Sequence, residues 1–132
     1  MKKITAIVLA VMMVFALCAC GGGGDNLTFV TGGEQGTYYA FGTVIAQQVS
    51  DKTDTAITAV SGNGSKANVE DLASGGAQLA FCQSDVMSYA YSGTNLFADS
   101  GAVKDFSVVA ALYMEQVQIV TMNPDIKTVA DL

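Results

Sequence analysis

The sequence predicts an α/β fold with a mostly parallel sheet and flanking helices. Short apolar runs alternate with longer segments whose apolar residues recur at helical spacing. A turn containing glycine or serine follows each of the first three apolar runs. The third run, residues 79–82, is nearly all apolar, as expected for a strand covered on both faces. Strands that alternate with helices imply right-handed crossovers and parallel pairing.

The first twenty residues are typical of an export signal. Lys2 and Lys3 precede an apolar run over residues 4–17, which is shorter than the roughly 20 residues of a membrane-spanning helix. Leu17-Cys18-Ala19-Cys20 resembles the bacterial lipobox, and by that resemblance Cys20 becomes the lipidated first residue of the mature protein. An ordinary cleaved signal is the alternative. We expect a lipoprotein signal peptide over residues 1–20 and a glycine-rich tether over residues 21–26.

The first strand and the first helix flank a glycine-rich turn. Residues 27–30 form a short apolar run, and residues 37–49 have apolar side chains close to helical spacing. Between them, Gly36 would let the backbone approach a bound group closely. The free N–H groups and the positive dipole end of a helix start attract anions. The turn is therefore a candidate anion site, and a tight turn without a ligand is the alternative.

Two more units of strand, turn and helix follow. The β-prone run Ala56–Val60 leads through Ser61-Gly62-Asn63-Gly64 to a helix that Ser65 is expected to cap. Val69, Leu72 and Ala73 should face inward on this helix, and Gly75-Gly76 should end it. After the strand over residues 79–82, Ser84 should open a helix that ends near Gly93.

The last third of the chain is predicted to add two more strands. A polar loop is expected over residues 94–105, followed by apolar runs over residues 106–113 and 116–122. Their apolar and β-branched content favours strands.

Charge and composition argue against several classes of function. The net charge of −6 includes Lys2 and Lys3, so it becomes −8 once these two are removed. An acidic chain without arginine is unsuited to nucleic acid. The absence of histidine, with Cys82 the single cysteine after residue 20, argues against a transition-metal site. The residues also form no recognisable catalytic constellation, so we predict a protein that is not an enzyme and needs no cofactor.

The three turns are expected to converge on one ligand. In parallel sheets, ligands bind at the carboxyl ends of the strands. There the turns offer backbone amides, hydroxyl groups and side-chain amides, which suit a small carboxylate held by neutral donors. No arginine is present to make a bidentate clamp. Lys66 is expected on a solvated helix face, and Asp85 is interpreted first as a helix N-terminal charge and second as a partner for a ligand ammonium.

One motif favours a different function. Gly62-Asn63-Gly64-Ser65-Lys66-Ala67 satisfies the dinucleotide-binding pattern, and Asp85 follows the next strand about where such folds place the ribose-binding acid. Taken alone, this indicates an NAD-dependent enzyme. The export signal argues against that interpretation, because soluble nicotinamide cofactors are not maintained outside the cytoplasm.

From residue 27 onward the chain resembles the TAXI-type solute-binding receptors of TRAP transporters. Residues throughout this part of the chain carry the resemblance. They are Gly32-Gly33, Gly36-Thr37-Tyr38-Tyr39, Gly42, Ser61-Gly62-Asn63-Gly64-Ser65, Asn68, Leu72, Ser74-Gly75, Ala77, Leu79-Ala80, Gln83-Ser84-Asp85, Ala90, Gly93, Ile126-Lys127 and Ala130-Asp131-Leu132.

The resemblance implies a periplasmic-binding-protein-like fold of type II, in which two lobes close on a ligand. Residues 27–132 would be part of the first lobe, truncated at the C-terminus, with the second lobe absent from this chain. Members bind glutamate, related amino acids or dicarboxylates and pass them to TRAP transporter membrane subunits, so we expect an extracytoplasmic protein anchored to the membrane by lipid. A lipoprotein that senses a solute and signals to a membrane partner is the alternative.

The resemblance also implies a set of ligand contacts, all at the three turns except Tyr113, which is expected at the end of a later strand that faces the same cleft. Tyr38 and Tyr39 are adjacent on a helix, so only one of them is expected to face the ligand. The expected contacts are Gly36, Thr37, Tyr38, Tyr39, Asn63, Ser65, Gln83, Ser84 and Tyr113.

Overall fold

The structure, a computed structural model, describes residues 26–132. The signal peptide, its lipidation site Cys20 and residues 21–25 of the tether lie outside the described residues, and the expectations about them stay predictions. The first strand begins at Asn26, one residue earlier than expected.

Strands and helices alternate through the first two thirds of the described chain, as predicted. The helices and strands are β1 (Asn26–Val30), α1 (Thr37–Lys52), β2 (Ala56–Val60), α2 (Ser65–Ser74), β3 (Leu79–Ala80) and α3 (Ser84–Ser92), with 3-10 turns at Asn95–Phe97 and Val129–Asp131.

The three strands form one parallel sheet in the order β2-β1-β3. Val30 of the central strand is in register with Val60 on one side and with Ala80 on the other. Successive residues of a strand point to opposite faces of the sheet, and the successive residues Phe29 and Val30 are both buried. Both faces of β1 are therefore covered, and the prediction of a parallel sheet with flanking helices is confirmed.

The main hydrophobic cluster lies between α2, α3 and the segment that follows α3. Its buried members are Val69, Val86, Ala90 and Phe97. Phe97 belongs to the region predicted as a polar loop, yet its side chain is fully buried. Burial of an aromatic side chain of this size contributes about 1.5–3 kcal/mol, which explains why the loop follows the surface of α3 closely.

Glycines end two of the helices in the left-handed conformation. Gly75 after α2 has φ 78°, and Gly93 after α3 has φ 66°. A residue with a Cβ atom is strained there, so the helix ends predicted at these glycines are confirmed with their physical reason. Ala73, expected to face inward on α2, is instead exposed.

The prediction of strands over residues 106–113 and 116–122 is wrong. Neither segment is helix or strand, and apart from half-buried Phe106 their residues are exposed. A strand requires a neighbour that accepts and donates its backbone hydrogen bonds. Within residues 26–132 the single sheet consists of β1, β2 and β3, and it does not extend to these segments. The same part of the chain contains no helix long and apolar enough to cross a membrane.

Candidate ligand-binding site

Three strand-to-helix turns lie at the carboxyl ends of the three parallel strands. The first connects β1 to α1, the second β2 to α2, and the third β3 to α3. The first two are joined directly, because the Gly62 N–H donates to the carbonyl oxygen of Gly32 at 3.0 Å. The sheet therefore brings the predicted turns to one edge, as the alternation of strands and helices required.

Asn68 connects the three turns through hydrogen bonds of its side chain. Its side chain is fully buried on α2, and Nδ2 donates to the carbonyl oxygens of Thr31 at 2.6 Å and Phe81 at 2.9 Å. Thr31 and Phe81 are the residues directly after β1 and β3. Oδ1 has no hydrogen-bond partner among residues 26–132. Asn68 carries part of the family resemblance, but its structural role was not predicted from the sequence. The signal for that role was a polar side chain beside Val69 on the inward face of a helix.

Gly62 packs against this bridge. A Cβ atom at position 62 would lie 2.7 Å from the carbonyl oxygen of Thr31 and would collide with Oδ1 of Asn68. The first glycine of the dinucleotide-like motif thus has a packing explanation that involves no nucleotide.

Ser65 has a different role from the expected one. The position before α2 belongs to Gly64, and the Ser65 hydroxyl makes no cap hydrogen bond. Instead, buried Ser65 Oγ accepts the backbone N–H of Gln83 at 3.0 Å. The Ser65 hydroxyl was predicted to cap α2. It instead accepts a hydrogen bond from the third turn, which lies close to the start of α2.

All three helices begin without a side-chain cap. The residues that precede α1, α2 and α3 are Gly36, Gly64 and Gln83. The two glycines have no side chain that could accept a helix N–H, and the side chain of Gln83 accepts none. Unbonded N–H groups at a helix start need an acceptor from water or from a ligand. The helix dipoles add partial positive charge at the same edge.

Aromatic rings line one side of this edge. Tyr38, the second residue of α1, stacks on Phe81 with ring centroids 4.8 Å apart. The centroid of the Tyr113 ring lies 6.3 Å from that of Tyr38, in a T-shaped arrangement, and 5.3 Å from that of Phe41. Tyr39 belongs to none of the aromatic pairs found in the described residues. The cluster therefore includes two of the predicted tyrosines, Tyr38 and Tyr113.

Glu115 contacts one of the predicted ligand contacts, Gln83, and was not anticipated. Its Oε2 accepts the side-chain N–H of Gln83 at 2.6 Å. Burial, followed by the nearby Glu115 carboxylate, raises the pKa of Tyr38 to about 12. The same two causes raise the pKa of the exposed Tyr113. Glu115 stands between two apolar runs taken for strands, so its sequence context gave no sign of a site.

The remaining predicted residues lie at the three turns without joining the cluster. Lys66 pairs with Glu70 at 2.7 Å on the half-exposed face of α2, in agreement with its expected role on a solvated face. Asp85 lies in the first turn of α3, where its charge suits the helix N-terminus. The predicted contacts that are exposed at the turns are Gly36, Thr37, Asn63 and Ser84.

Cys82 lies two residues after β3 and is half-buried. Its Sγ donates to the carbonyl oxygen of Gln83 at 3.2 Å, and burial is the main reason that the pKa of the thiol is raised. A raised pKa keeps a thiol protonated and unreactive. Residues 26–132 contain no group of three or more histidine, cysteine, aspartate or glutamate side chains placed to hold a metal ion.

Comparison with protein families identifies a family whose model covers nearly all of the described chain. The model of the NMT1-like family matches residues 29–132. This match includes all three strand-to-helix turns and the segment that carries Glu115. The family is periplasmic-binding-protein-like, and its members are solute-binding proteins that are generally not enzymes. The chain therefore belongs to the NMT1-like family.

Proposed function

We propose that this protein is an extracytoplasmic solute-binding lipoprotein that captures a small carboxylate for a TRAP-type transporter. Membership of a solute-binding family supports the binding role. The export signal and the lipobox-like cysteine, Cys20, support anchoring outside the cytoplasm. The resemblance to TAXI-type receptors supports a glutamate-like amino acid or a dicarboxylate as the ligand.

The observation that carries the carboxylate assignment is the meeting of three uncapped helix starts at one edge of the sheet. Gly36, Gly64 and Gln83 leave the first N–H groups of α1, α2 and α3 without a side-chain acceptor. Such groups, together with the dipoles, favour an anion. Lys66, the cation closest in sequence to these turns, is engaged with Glu70, so neutral donors are left to hold the charge.

The proposed ligand contacts are residues of the turns and of the aromatic side. Ser65 and Gln83 are already joined to each other, so they hold the second and third turns at a fixed spacing. The full proposed set is Gly36, Thr37, Tyr38, Tyr39, Asn63, Ser65, Gln83, Ser84 and Tyr113.

Calorimetric titration of site variants tests the neutral-donor assignment. A thermal-shift screen against amino acids and organic acids first identifies a ligand, because binding raises the melting temperature by mass action. Thr37→Ala should then weaken binding by about 0.5–3 kcal/mol, the range for losing one hydrogen-bond donor, with the higher values where the partner is charged. Lys66→Ala is the matched control and should change affinity much less. A larger loss in the lysine variant would contradict the assignment.

The transporter assignment has a separate test. Detergent extraction of cells that express a tagged form should recover TRAP membrane subunits with the protein, and added ligand should increase the recovery. Ligand binding without any such recovery would favour the sensing role instead.

A further inference from the structure

We infer that the Glu115 carboxylate occupies the position that a ligand carboxylate would take, so that Glu115 is an internal competitor that sets the affinity of the site. This inference rests on the proposed function, because it identifies an occupant of the same donor set. It assigns to Glu115 a role that is separate from the proposed ligand contacts.

The contacts of Glu115 are those of a bound anion. Oε2 accepts Nε2 of Gln83 at 2.6 Å, a short distance typical of a charge-assisted hydrogen bond. Burial, and after it the nearby Glu115 carboxylate, raises the pKa of both Tyr38 and Tyr113. Gln83, the residue before α3, is thus a neutral donor to Glu115, and the two tyrosines near the carboxylate belong to α1 and to the segment that carries Glu115 itself.

The place of these contacts in the fold is the meeting point of the three helix starts. Gln83 precedes α3, and its backbone N–H bonds Ser65, the first residue of α2. Tyr38 is the second residue of α1. A carboxylate bonded to Gln83 and close to Tyr38 therefore lies beside the starts of α1 and α3, whose dipoles favour negative charge.

Two carboxylates cannot share this donor set without cost. Like charges a few ångströms apart repel, and Gln83 offers one side-chain amide group to both. A ligand carboxylate must therefore displace Glu115 before it gains the same hydrogen bonds.

The segment that carries Glu115 can accommodate such a displacement. Residues 107–122 are exposed and belong to neither a helix nor a strand, and Met114 is 84% exposed. Movement of Glu115 away from Gln83 therefore breaks no backbone hydrogen bond of the β2-β1-β3 sheet.

Affinity measurements on Glu115 variants test the inference. L-glutamate and glutarate serve as probes, because glutarate has both carboxylates of glutamate and lacks its ammonium group. Glu115→Gln and Glu115→Ala should bind each probe about two- to tenfold more tightly than the parent protein, which is the range for a single net hydrogen bond. Asp51→Asn is the control. It removes one negative charge from the last turn of α1, at the opposite end of that helix, and should leave affinity within twofold.

The pattern across the two probes separates competition from direct contact with the ligand. Tighter binding of both probes supports internal competition. Weaker binding of L-glutamate with unchanged glutarate would mean that Glu115 receives the ligand ammonium, and it would overturn the inference. Binding to the parent with no gain in either variant would overturn the inference alone and leave the proposed function standing. Failure of both probes to bind any variant would contradict the carboxylate assignment and the competition together.

Nuclear magnetic resonance gives a readout that needs no ligand. The side-chain amide resonances of Gln83 should shift strongly in Glu115→Ala, while those of Gln47, which is exposed on α1, should stay in place. Unshifted Gln83 resonances would show that the contact does not form in solution, and the inference would fail.

Discussion

Substitution of Asn68 by alanine should destabilise the protein severely. The buried side-chain amide of Asn68 donates two hydrogen bonds, to the carbonyl oxygens of Thr31 and Phe81. Each net hydrogen bond contributes about 0.5–1.5 kcal/mol, and a buried acceptor left without a partner costs about 1–3 kcal/mol. Water that enters the small cavity can recover part of this loss. We therefore expect the free energy of unfolding to fall by about 2–4 kcal/mol, against a total of about 5–15 kcal/mol for a typical domain.

Urea denaturation followed by circular dichroism measures this loss. Asn63→Ala is the matched control, because Asn63 is exposed in the neighbouring turn and surface changes usually stay within about 0.5 kcal/mol. Asn68→Asp should be at least as damaging as alanine, since it places a carboxylate against two carbonyl oxygens. A loss below about 1 kcal/mol in Asn68→Ala would refute the view that this side chain holds the three turns together.

Three further changes follow from the same part of the molecule. Gly62→Ala should lower stability by about 1–3 kcal/mol through crowding against Asn68, whereas Gly33→Ala, with nothing within 4 Å of its added methyl group, should be nearly neutral in the same denaturation assay. Ser65→Ala should cost about 0.5–1.5 kcal/mol of stability because the Gln83 N–H loses its acceptor, and amide hydrogen exchange at Gln83 should become faster. Tyr38 has a folded pKa of about 12 against an ordinary value of 10.0, so the folded state favours its protonated form. The stability from this preference is present below pH 10 and is lost as the pH rises towards 12, and a melting-temperature series over that range should fall less steeply for Tyr38→Phe than for the parent.

The alternation of strands and helices was predictable because it rests on local patterns. Ala56–Val60 has the boundaries expected from its β-branched residues, and the ends of α2 and α3 follow from glycines that take the left-handed conformation. Apolar content alone was insufficient for residues 106–122. Whether such a run becomes a strand depends on a partner elsewhere in the chain, and tertiary pairing of this kind is not encoded in the run itself.

The candidate site was predictable in outline, because the carboxyl ends of parallel strands meet at one edge. Its internal connections were not. Ser65 and Asn68 have their partners in other turns, so their roles depend on distances between segments that are far apart in sequence. The role of Glu115 was also not predictable, because its hydrogen bond to Gln83 spans 32 residues and no local sequence pattern predicts it.

The position of β1 at the centre of the sheet has a consequence for how the chain folds. β1 is the first strand to be synthesised, yet it pairs with β2 and β3, which end thirty and fifty residues later at Val60 and Ala80. Phe29 and Val30 therefore lack their strand neighbours until both later units have formed. Contacts at such sequence separation slow folding, and an apolar strand that is still unpaired can aggregate with other chains. Sequestration of residues 26–30 by a chaperone during synthesis would keep the chain competent to fold until Ala80 has emerged.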